Sequence, residues 1–199
     1  MTSTASITLP EGDFRGFIFD NDGTLACSMH LHHRAWQAAF EKQGAPFTFT
    51  WPMFMEYAGM GATETVNRLN SRFKATLDPV LVATEQQLFV DRNFNQITPN
   101  APVVALARQV AARYPVAVAS GGIREVVLRT LQVIGVSDLF PVVVSVDDVA
   151  RGKPAPDCFL LAAEKMGVAP AHCLVIEDGD LGEAAALAAG MTCLRVEPR

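Results

Sequence analysis

Acidic and hydroxyl side chains directly follow several short apolar runs of this sequence. The groups concerned are Asp20, Asp22 and Thr24 after the run FRGFIF, Ser120 after VAVA, and Glu177 and Asp178 after CLVI. Ligands bind at the carboxyl ends of the strands in an open parallel sheet, so we expect these side chains to converge on one pocket. Several carboxylates in one pocket would repel one another unless a cation lay among them. Because the candidate ligands are oxygens, with no histidine or cysteine among them, they indicate Mg²⁺ rather than zinc.

The apolar runs themselves predict the strands that would position these groups. Five short runs lie at residues 14–20, 116–119, 142–146, 173–176 and 192–196. Uninterrupted apolar runs of this kind are typical of parallel strands that helices cover on both faces. Helical patterns follow them, at residues 101–112, 123–134, 157–166 and 180–189. This alternation predicts an α/β fold with a doubly wound parallel sheet.

One long stretch interrupts the alternation. Residues 28–98 show helical patterns at 31–43, 63–73 and 79–95, and no convincing strand. A segment of roughly 70 residues is too long for a single crossover between two strands. We therefore predict a small helical cap at residues 28–98, inserted into a core that consists of residues 1–27 and 99–199. Three methionines of the insert fit helix packing better than a cofactor site; they are Met53, Met55 and Met60.

Composition and charge narrow the classes of partner. The chain has 199 residues, half of them hydrophobic, and a formal net charge of −5 without a basic stripe. We therefore expect no nucleic acid and no anionic membrane as a partner. The N-terminus lacks a signal-peptide pattern, no run approaches the ~20 apolar residues of a membrane span, and the four cysteines include no metal-binding pair. These features favour reduced thiols and a cytoplasmic location, and we expect a monomer or weak homodimer.

The segment FDNDGT resembles the DxDGT signature of the haloacid dehalogenase superfamily. Three further motifs of that superfamily follow in the same order: Ser120 after a strand, Lys153 in RGKPAPDCF, and Glu177 with Asp178 in VIEDGDLGEAAALAAGM. The resemblance covers residues 13–196. It implies a Rossmann-like core with a helical cap. It also implies phosphoryl transfer, because a haloalkanoate dehalogenase would need neither Asp22 nor the Glu177–Asp178 pair.

The resemblance implies a role for each of these residues. Asp20 is the nucleophile that forms an aspartyl-phosphate, and Asp22 is the acid and base that protonates the leaving oxygen and then activates the attacking water. Lys153 offsets negative charge on the transferring group. The remaining roles are phosphoryl binding by Ser120 and the amides of Gly121 and Gly122, and Mg²⁺ binding by Asp20, Asp22, Glu177 and Asp178. The implied substrate is a small phosphorylated metabolite.

Taken one at a time, some of these residues have simpler interpretations. Residues 20–23 alone could form an ordinary Asx turn, and Lys153 alone could be a solvated surface lysine. Glu177 could bind the metal directly or support a residue that does, and both options stay open. A non-catalytic protein that binds a phosphorylated ligand is the alternative from a different functional class. The presence of Asp22 argues against it, because a binding protein has no need of an acid–base aspartate.

The cap sequence bears on the choice between a phosphatase and a mutase. The chain is most similar to the beta-phosphoglucomutase-like branch, which includes sugar phosphatases of the fructose-1-phosphate type. By that resemblance His32 is a substrate-site residue, at the position of a histidine that supports proton transfer in the mutase; a helix-surface histidine is the alternative. The mutase has an arginine shortly after a glycine hinge, here residues 59–61, and a lysine further on, and these cations hold a second phosphate. Because Ala62 and Gln86 stand at those two positions, we expect hydrolysis, with the mutase as the alternative.

Overall fold

The computed structural model describes residues 7–58 and 60–199. These residues form two compact units, which are residues 7–27 with 98–199 and residues 28–97. The first unit, called the core, is built on a parallel sheet; the described residues of the second, called the helical unit, form helices and loops. Thr98, which we expected in the helical insert, belongs to the core because it pairs with Cys27 in a short antiparallel ribbon.

The strands of the core form two sheets. Their bounds are β1 (Gly16–Phe19), β2 (Ala26–Cys27), β3 (Thr98–Pro99), β4 (Val116–Ala119), β5 (Val142–Val144), β6 (Cys173–Glu177) and β7 (Thr192–Arg195). The ribbon consists of β2 and β3, and the main sheet has the spatial order β5–β4–β1–β6–β7 with parallel pairing throughout. The direction of winding therefore reverses at β1. This arrangement confirms the predicted doubly wound α/β fold.

Four α-helices lie in the described part of the helical unit. They are α1 (Met29–Lys42), α2 (Trp51–Tyr57), α3 (Ala62–Phe73) and α4 (Pro79–Asn93). Aromatic side chains dominate its core, where Phe40 packs against Phe47 and Phe49 with ring centroids 5.2 and 5.0 Å apart. We did not predict α2, although Thr50 caps its start by accepting a hydrogen bond from the Met53 amide at 3.5 Å.

Four further helices follow the strands of the core. They are α5 (Ala101–Ala111), α6 (Arg124–Val133), α7 (Asp157–Met166) and α8 (Asp180–Ala188). Helix α7 packs against β1, β4 and β5, while α8 packs against β6 and β7. Apart from α2, β2 and β3, the ends of the elements lie within two residues of the predicted ones. Across residues 7–58 and 60–199, no helix has both the length and the apolar character that crossing a membrane would require.

The register of the main sheet brings three strand ends to one edge. Phe19 of β1 pairs with Ile176 of β6 and with Val118 of β4. The amide of Asp20 donates to the Ile176 carbonyl at 3.0 Å. Because all three strands are parallel, Asp20 after β1, Ser120 after β4 and the acidic pair at the end of β6 emerge at the same edge, as the sequence predicted.

Candidate active site

Asp20 lies at the point where β1 leaves the centre of the sheet, and 6% of its surface is exposed. One of its carboxylate oxygens, Oδ1, accepts a hydrogen bond from Lys153 Nζ at 2.6 Å. Burial raises the pKa of Asp20 well above its ordinary value, and the nearby Lys153 charge opposes this only in part. An additional cation would favour the carboxylate form that a nucleophile requires.

Lys153 is fixed as a buried ammonium group. Its side chain is 6% exposed, and Nζ donates to Asp20 Oδ1 at 2.6 Å and to Glu177 Oε1 at 2.8 Å. Nζ also lies 4.9 Å from the centroid of the Phe159 ring, a cation–π distance. Burial lowers the pKa of Lys153, but the negative charges of Asp20 and Glu177 outweigh it and raise that pKa above its ordinary value. The residue is therefore not the solvated surface lysine that its sequence alone allowed.

The two carboxylate oxygens of Glu177 accept hydrogen bonds from Lys153 and from the backbone of the following loop. Oε1 accepts from Lys153, and Oε2 accepts from the Gly179 amide at 2.6 Å. The carboxylate rests against α8 at Gly182, where an added Cβ would overlap Glu177 atoms from Cγ to Oε1. Both oxygens of Glu177 are thus engaged by protein hydrogen bonds.

Asp178 is held in place from the loop that follows β1. Its Oδ1 accepts a hydrogen bond from the Thr24 hydroxyl at 2.8 Å. Gly23, at φ +87°, lies against the same carboxylate, and a Cβ there would overlap Oδ2. Burial, followed by the Glu177 charge, raises the pKa of Asp178 to about 7, although the Thr24 hydrogen bond acts in the opposite direction.

The acidic residues of this edge form a candidate cation site. Asp20, Glu177 and Asp178 each offer an oxygen, and these three oxygens lie within 4.8 Å of one another. The ion pairs of the described residues give this cluster one cation, Lys153, for three carboxylates. Buried oxygen ligands with excess negative charge fit a hard divalent cation. We also expected Asp22 to bind the metal; its carboxylate is not among these three oxygens, and that role stays a prediction.

Asp22 is half-buried in the turn beyond Asp20. Its Oδ2 accepts a hydrogen bond from Asn21 Nδ2 at 3.1 Å. The same oxygen lies 3.8 Å from the position that a Cβ would take at Gly122. The Asp22 carboxylate therefore lies close to the turn after β4, where phosphoryl binding was expected.

Ser120 and the two glycines that follow it form the turn between β4 and α6. Ser120 is 2% exposed, and its amide donates to the Val144 carbonyl at 2.9 Å. Its hydroxyl accepts from the Gly122 amide at 3.0 Å. Around Gly121, a Cβ would meet no described atom within 4 Å, so a ligand could approach the backbone there.

The residues predicted in the cap belong to the helical unit. His32 lies half-buried in α1, Ala62 begins α3, and Gln86 lies half-buried in α4. Gly59, the first residue of the expected glycine hinge, lies outside the described residues. The roles assigned to these positions stay predictions.

Four residues that shape this site had no role assigned to them from the sequence. They are Asn21 beside Asp22, Thr24 on Asp178, Phe159 beneath Lys153, and Gly182 beneath Glu177. Thr24 was noticed at the strand end but given no function. Gly182 carried a usable signal, because a glycine inside an otherwise alanine-rich helix commonly has a packing reason.

Comparisons with known proteins point to one family. The family model of haloacid dehalogenase-like hydrolases matches residues 14–190. The chain is 32% identical to fructose-1-phosphate phosphatase YqaB of Escherichia coli, over 92% of this chain and 96% of that protein. It is 28% identical to validoxylamine A 7′-phosphate phosphatase of Streptomyces hygroscopicus subsp. limoneus, over 89% and 83% of the two chains.

A solved structure shows the same fold. The crystal structure of CbbY from Rhodobacter sphaeroides in complex with phosphate aligns with a TM-score of 0.80 and 24% identity, over 94% of this chain and 87% of that chain. Together with the family match, this confirms the resemblance drawn from the four sequence motifs. The chain belongs to the haloacid dehalogenase-like hydrolase family, and it is a phosphatase of that family.

Proposed function

We propose that this phosphatase hydrolyses monophosphate esters of sugars or polyols through an aspartyl-phosphate formed on Asp20. The observation that carries the proposal is the buried contact between Asp20 and Lys153 at the carboxyl end of β1. A carboxylate that is fixed beside an ammonium group can attack a phosphorus atom whose oxygens the ammonium group helps to neutralise.

The chemistry divides into two displacements at phosphorus. An Asp20 oxygen bonds to phosphorus while the P–O bond to the substrate alcohol breaks, and Asp22 donates a proton to the leaving oxygen. Asp22, now a carboxylate, accepts a proton from a water molecule whose oxygen attacks the aspartyl-phosphate. The bond between Asp20 and phosphorus then breaks, which restores the Asp20 carboxylate and releases inorganic phosphate.

The remaining side chains of the site orient the phosphoryl group. Lys153, held by Asp20 and Glu177, supplies a fixed positive charge beside the attacking oxygen. We propose that Ser120 and the amides of Gly121 and Gly122 bind phosphoryl oxygens, with the Gly122 amide shared between the phosphoryl group and the Ser120 hydroxyl to which it donates here. The support for this is that Asp22 Oδ2 lies near Gly122, so a phosphoryl group at this turn would lie within reach of the acid.

The acidic cluster fits a divalent cation, and we propose that the cation is Mg²⁺. Asp20 and Asp178 would hold it, because each has a carboxylate oxygen that accepts no hydrogen bond from the described residues. Glu177 would serve mainly to hold Lys153, since Lys153 and the Gly179 amide engage its two oxygens. When bound, such an ion neutralises negative charge on the carboxylates and on phosphoryl oxygens. Asp22 would act as acid and base, and its expected contact with the metal stays a prediction.

The substrate that we propose carries one phosphate and an uncharged sugar or polyol portion. Ala62 and Gln86 place no charge at the two positions where a mutase would need cations for a second phosphate. The two relatives described above are named as phosphatases of fructose 1-phosphate and of validoxylamine A 7′-phosphate. We further propose that His32 contacts the substrate. The four cysteines, which are all free thiols, fit a protein of the reducing cytoplasm.

Replacement of Asp20 by asparagine tests the proposal. Asp20→Asn keeps the shape of the side chain but removes the nucleophile, so we expect phosphate release from a panel of sugar phosphates to fall to background. Asp180→Asn is the matched control, because the Asp180 side chain is 98% exposed and the change in charge is the same. If purified Asp20→Asn, shown to be folded by circular dichroism, kept more than a trace of activity, Asp20 would not be the nucleophile.

A further inference from the structure

Asn21, the residue between the two candidate catalytic aspartates, carries a buried polar side chain. It is fully buried, with 0% of its surface exposed. Its Nδ2 donates a hydrogen bond to Asp22 Oδ2 at 3.1 Å. Its Oδ1 is buried and has no hydrogen-bond partner among the described residues.

An amide in this position is unfavourable for stability. A buried carbonyl oxygen without a partner loses its hydration and regains nothing, whereas an apolar side chain of similar volume would avoid that loss. Buried unsatisfied polar atoms are uncommon in native proteins, and each calls for an explanation. The one side-chain hydrogen bond that the structure gives Asn21 goes to Asp22, so the explanation lies in what that bond does to Asp22.

The bond fixes one oxygen of a half-buried carboxylate. Asp22 Oδ2 is held between Asn21 Nδ2 and the turn at Gly122, 3.8 Å from where a Cβ of that glycine would stand. An aspartate side chain has a broad rotational preference about its terminal torsion angle, which each hydrogen bond to the carboxylate narrows, and proton transfer requires the reacting oxygen to lie within hydrogen-bond distance of its target. Restricting this rotation favours the orientation from which Asp22 reaches the leaving oxygen.

We propose that Asn21 is a positioning residue for the acid–base function of Asp22, an inference that rests on the function proposed above. Asn21 contacts the Asp22 carboxylate and not the phosphate ester, and it acts through the orientation of that carboxylate. The contribution of Asn21 to the rate should therefore be larger for a substrate whose leaving group needs a proton. A sugar alkoxide is a poor leaving group and depends on that proton, whereas p-nitrophenolate leaves readily without it.

The test compares these two leaving groups in the variant Asn21→Leu. We expect kcat/KM for a hexose phosphate to fall about tenfold, and kcat/KM for p-nitrophenyl phosphate to change less than about twofold. The melting temperature should stay the same or rise, because the unsatisfied amide is gone. Asn21→Met repeats the test with an unbranched side chain in case leucine does not fit. Equal losses for both substrates, or no loss for the hexose phosphate, would overturn the proposal.

A double-mutant cycle with Asp22→Ala separates this inference from the proposed function. If Asn21 acts through Asp22, adding Asn21→Leu to Asp22→Ala should leave kcat/KM unchanged for both substrates. A further loss in that background would show that Asn21 acts elsewhere, and only the positioning role would fall. If Asp22→Ala alone left hydrolysis of the hexose phosphate intact, the acid–base role of Asp22 would itself be wrong.

Discussion

Gly182 lies in α8 directly against the carboxylate of Glu177, and its replacement by alanine tests how the site is supported. A Cβ at this position would overlap Cγ, Cδ and Oε1 of Glu177. The Glu177 side chain has several rotatable bonds, so it could move away and relieve the overlap. In the folded protein that movement breaks the hydrogen bonds to Lys153, at 2.8 Å, and to the Gly179 amide, at 2.6 Å.

The size of the effect follows from these two bonds. Hydrogen bonds to charged groups contribute about 1.5–3 kcal/mol each. Against this, alanine is favoured over glycine inside a helix by up to about 1 kcal/mol. We therefore expect Gly182→Ala to lower the free energy of unfolding by about 2–5 kcal/mol, although helix propensity alone predicts a gain. Because Lys153 loses one of its two carboxylate partners, kcat should fall by about tenfold or more.

Denaturant unfolding and steady-state kinetics measure the two effects. Gly61→Ala is the control for stability, because a Cβ there meets nothing within 4 Å and the backbone has φ −60°; a change of at most about 1 kcal/mol is expected. In a Glu177→Ala background, Gly182→Ala should no longer destabilise the protein. A Gly182→Ala protein as stable and as active as the wild type would refute the reasoning, because Glu177 would then hold Lys153 equally well from another rotamer.

Three further predictions concern the metal, acid stability and the cap. Asp178→Ala should raise the Mg²⁺ concentration for half-maximal activity by about tenfold, with partial rescue at higher Mg²⁺; an unchanged titration would remove Asp178 as a ligand. The Arg124 hydrogen bond holds the pKa of Asp148 at about 2, below its ordinary 3.8. This stabilisation is fully present above the unfolded-state pKa and is lost as pH falls through the folded-state value of about 2. Asp148→Asn should therefore be less stable than wild type by about 1 kcal/mol at pH 7, after allowance for solvent screening, and in acid-unfolding measurements the difference should shrink below about pH 4 and vanish only below about pH 2. The double variant Ala62→Arg with Gln86→Lys should improve KM for a sugar bisphosphate by about tenfold over that for a monophosphate, and equal effects on both would place these positions away from a second phosphate.

Local patterns in the sequence determined most of the architecture. Short apolar runs predicted the five strands of the main sheet, and 3.6-residue periodicity predicted seven helices whose ends agree to within two residues. Both signals are local, because each depends on which side chains recur along a few turns of helix or a few residues of strand. The same holds for the candidate catalytic residues, since each follows directly after the end of a strand. Helix α2 was not predicted, because its seven residues are too few to establish a helical period.

The tertiary structure decided which of these residues support one another. Lys153 and Asp20 are 133 residues apart, and Thr24 and Asp178 are 154 apart. Contacts at such separations depend on strand order and on the depth at which helices dock, which local propensity does not encode. The sequence therefore left open whether Glu177 binds the metal or supports another residue. Its hydrogen bonds to Lys153 and to the Gly179 amide favour the supporting role. Gly182 shows the reason most directly. Helix propensity identifies it only as a residue that destabilises a helix, whereas in the folded protein its lack of a side chain leaves the space in which the Glu177 carboxylate packs.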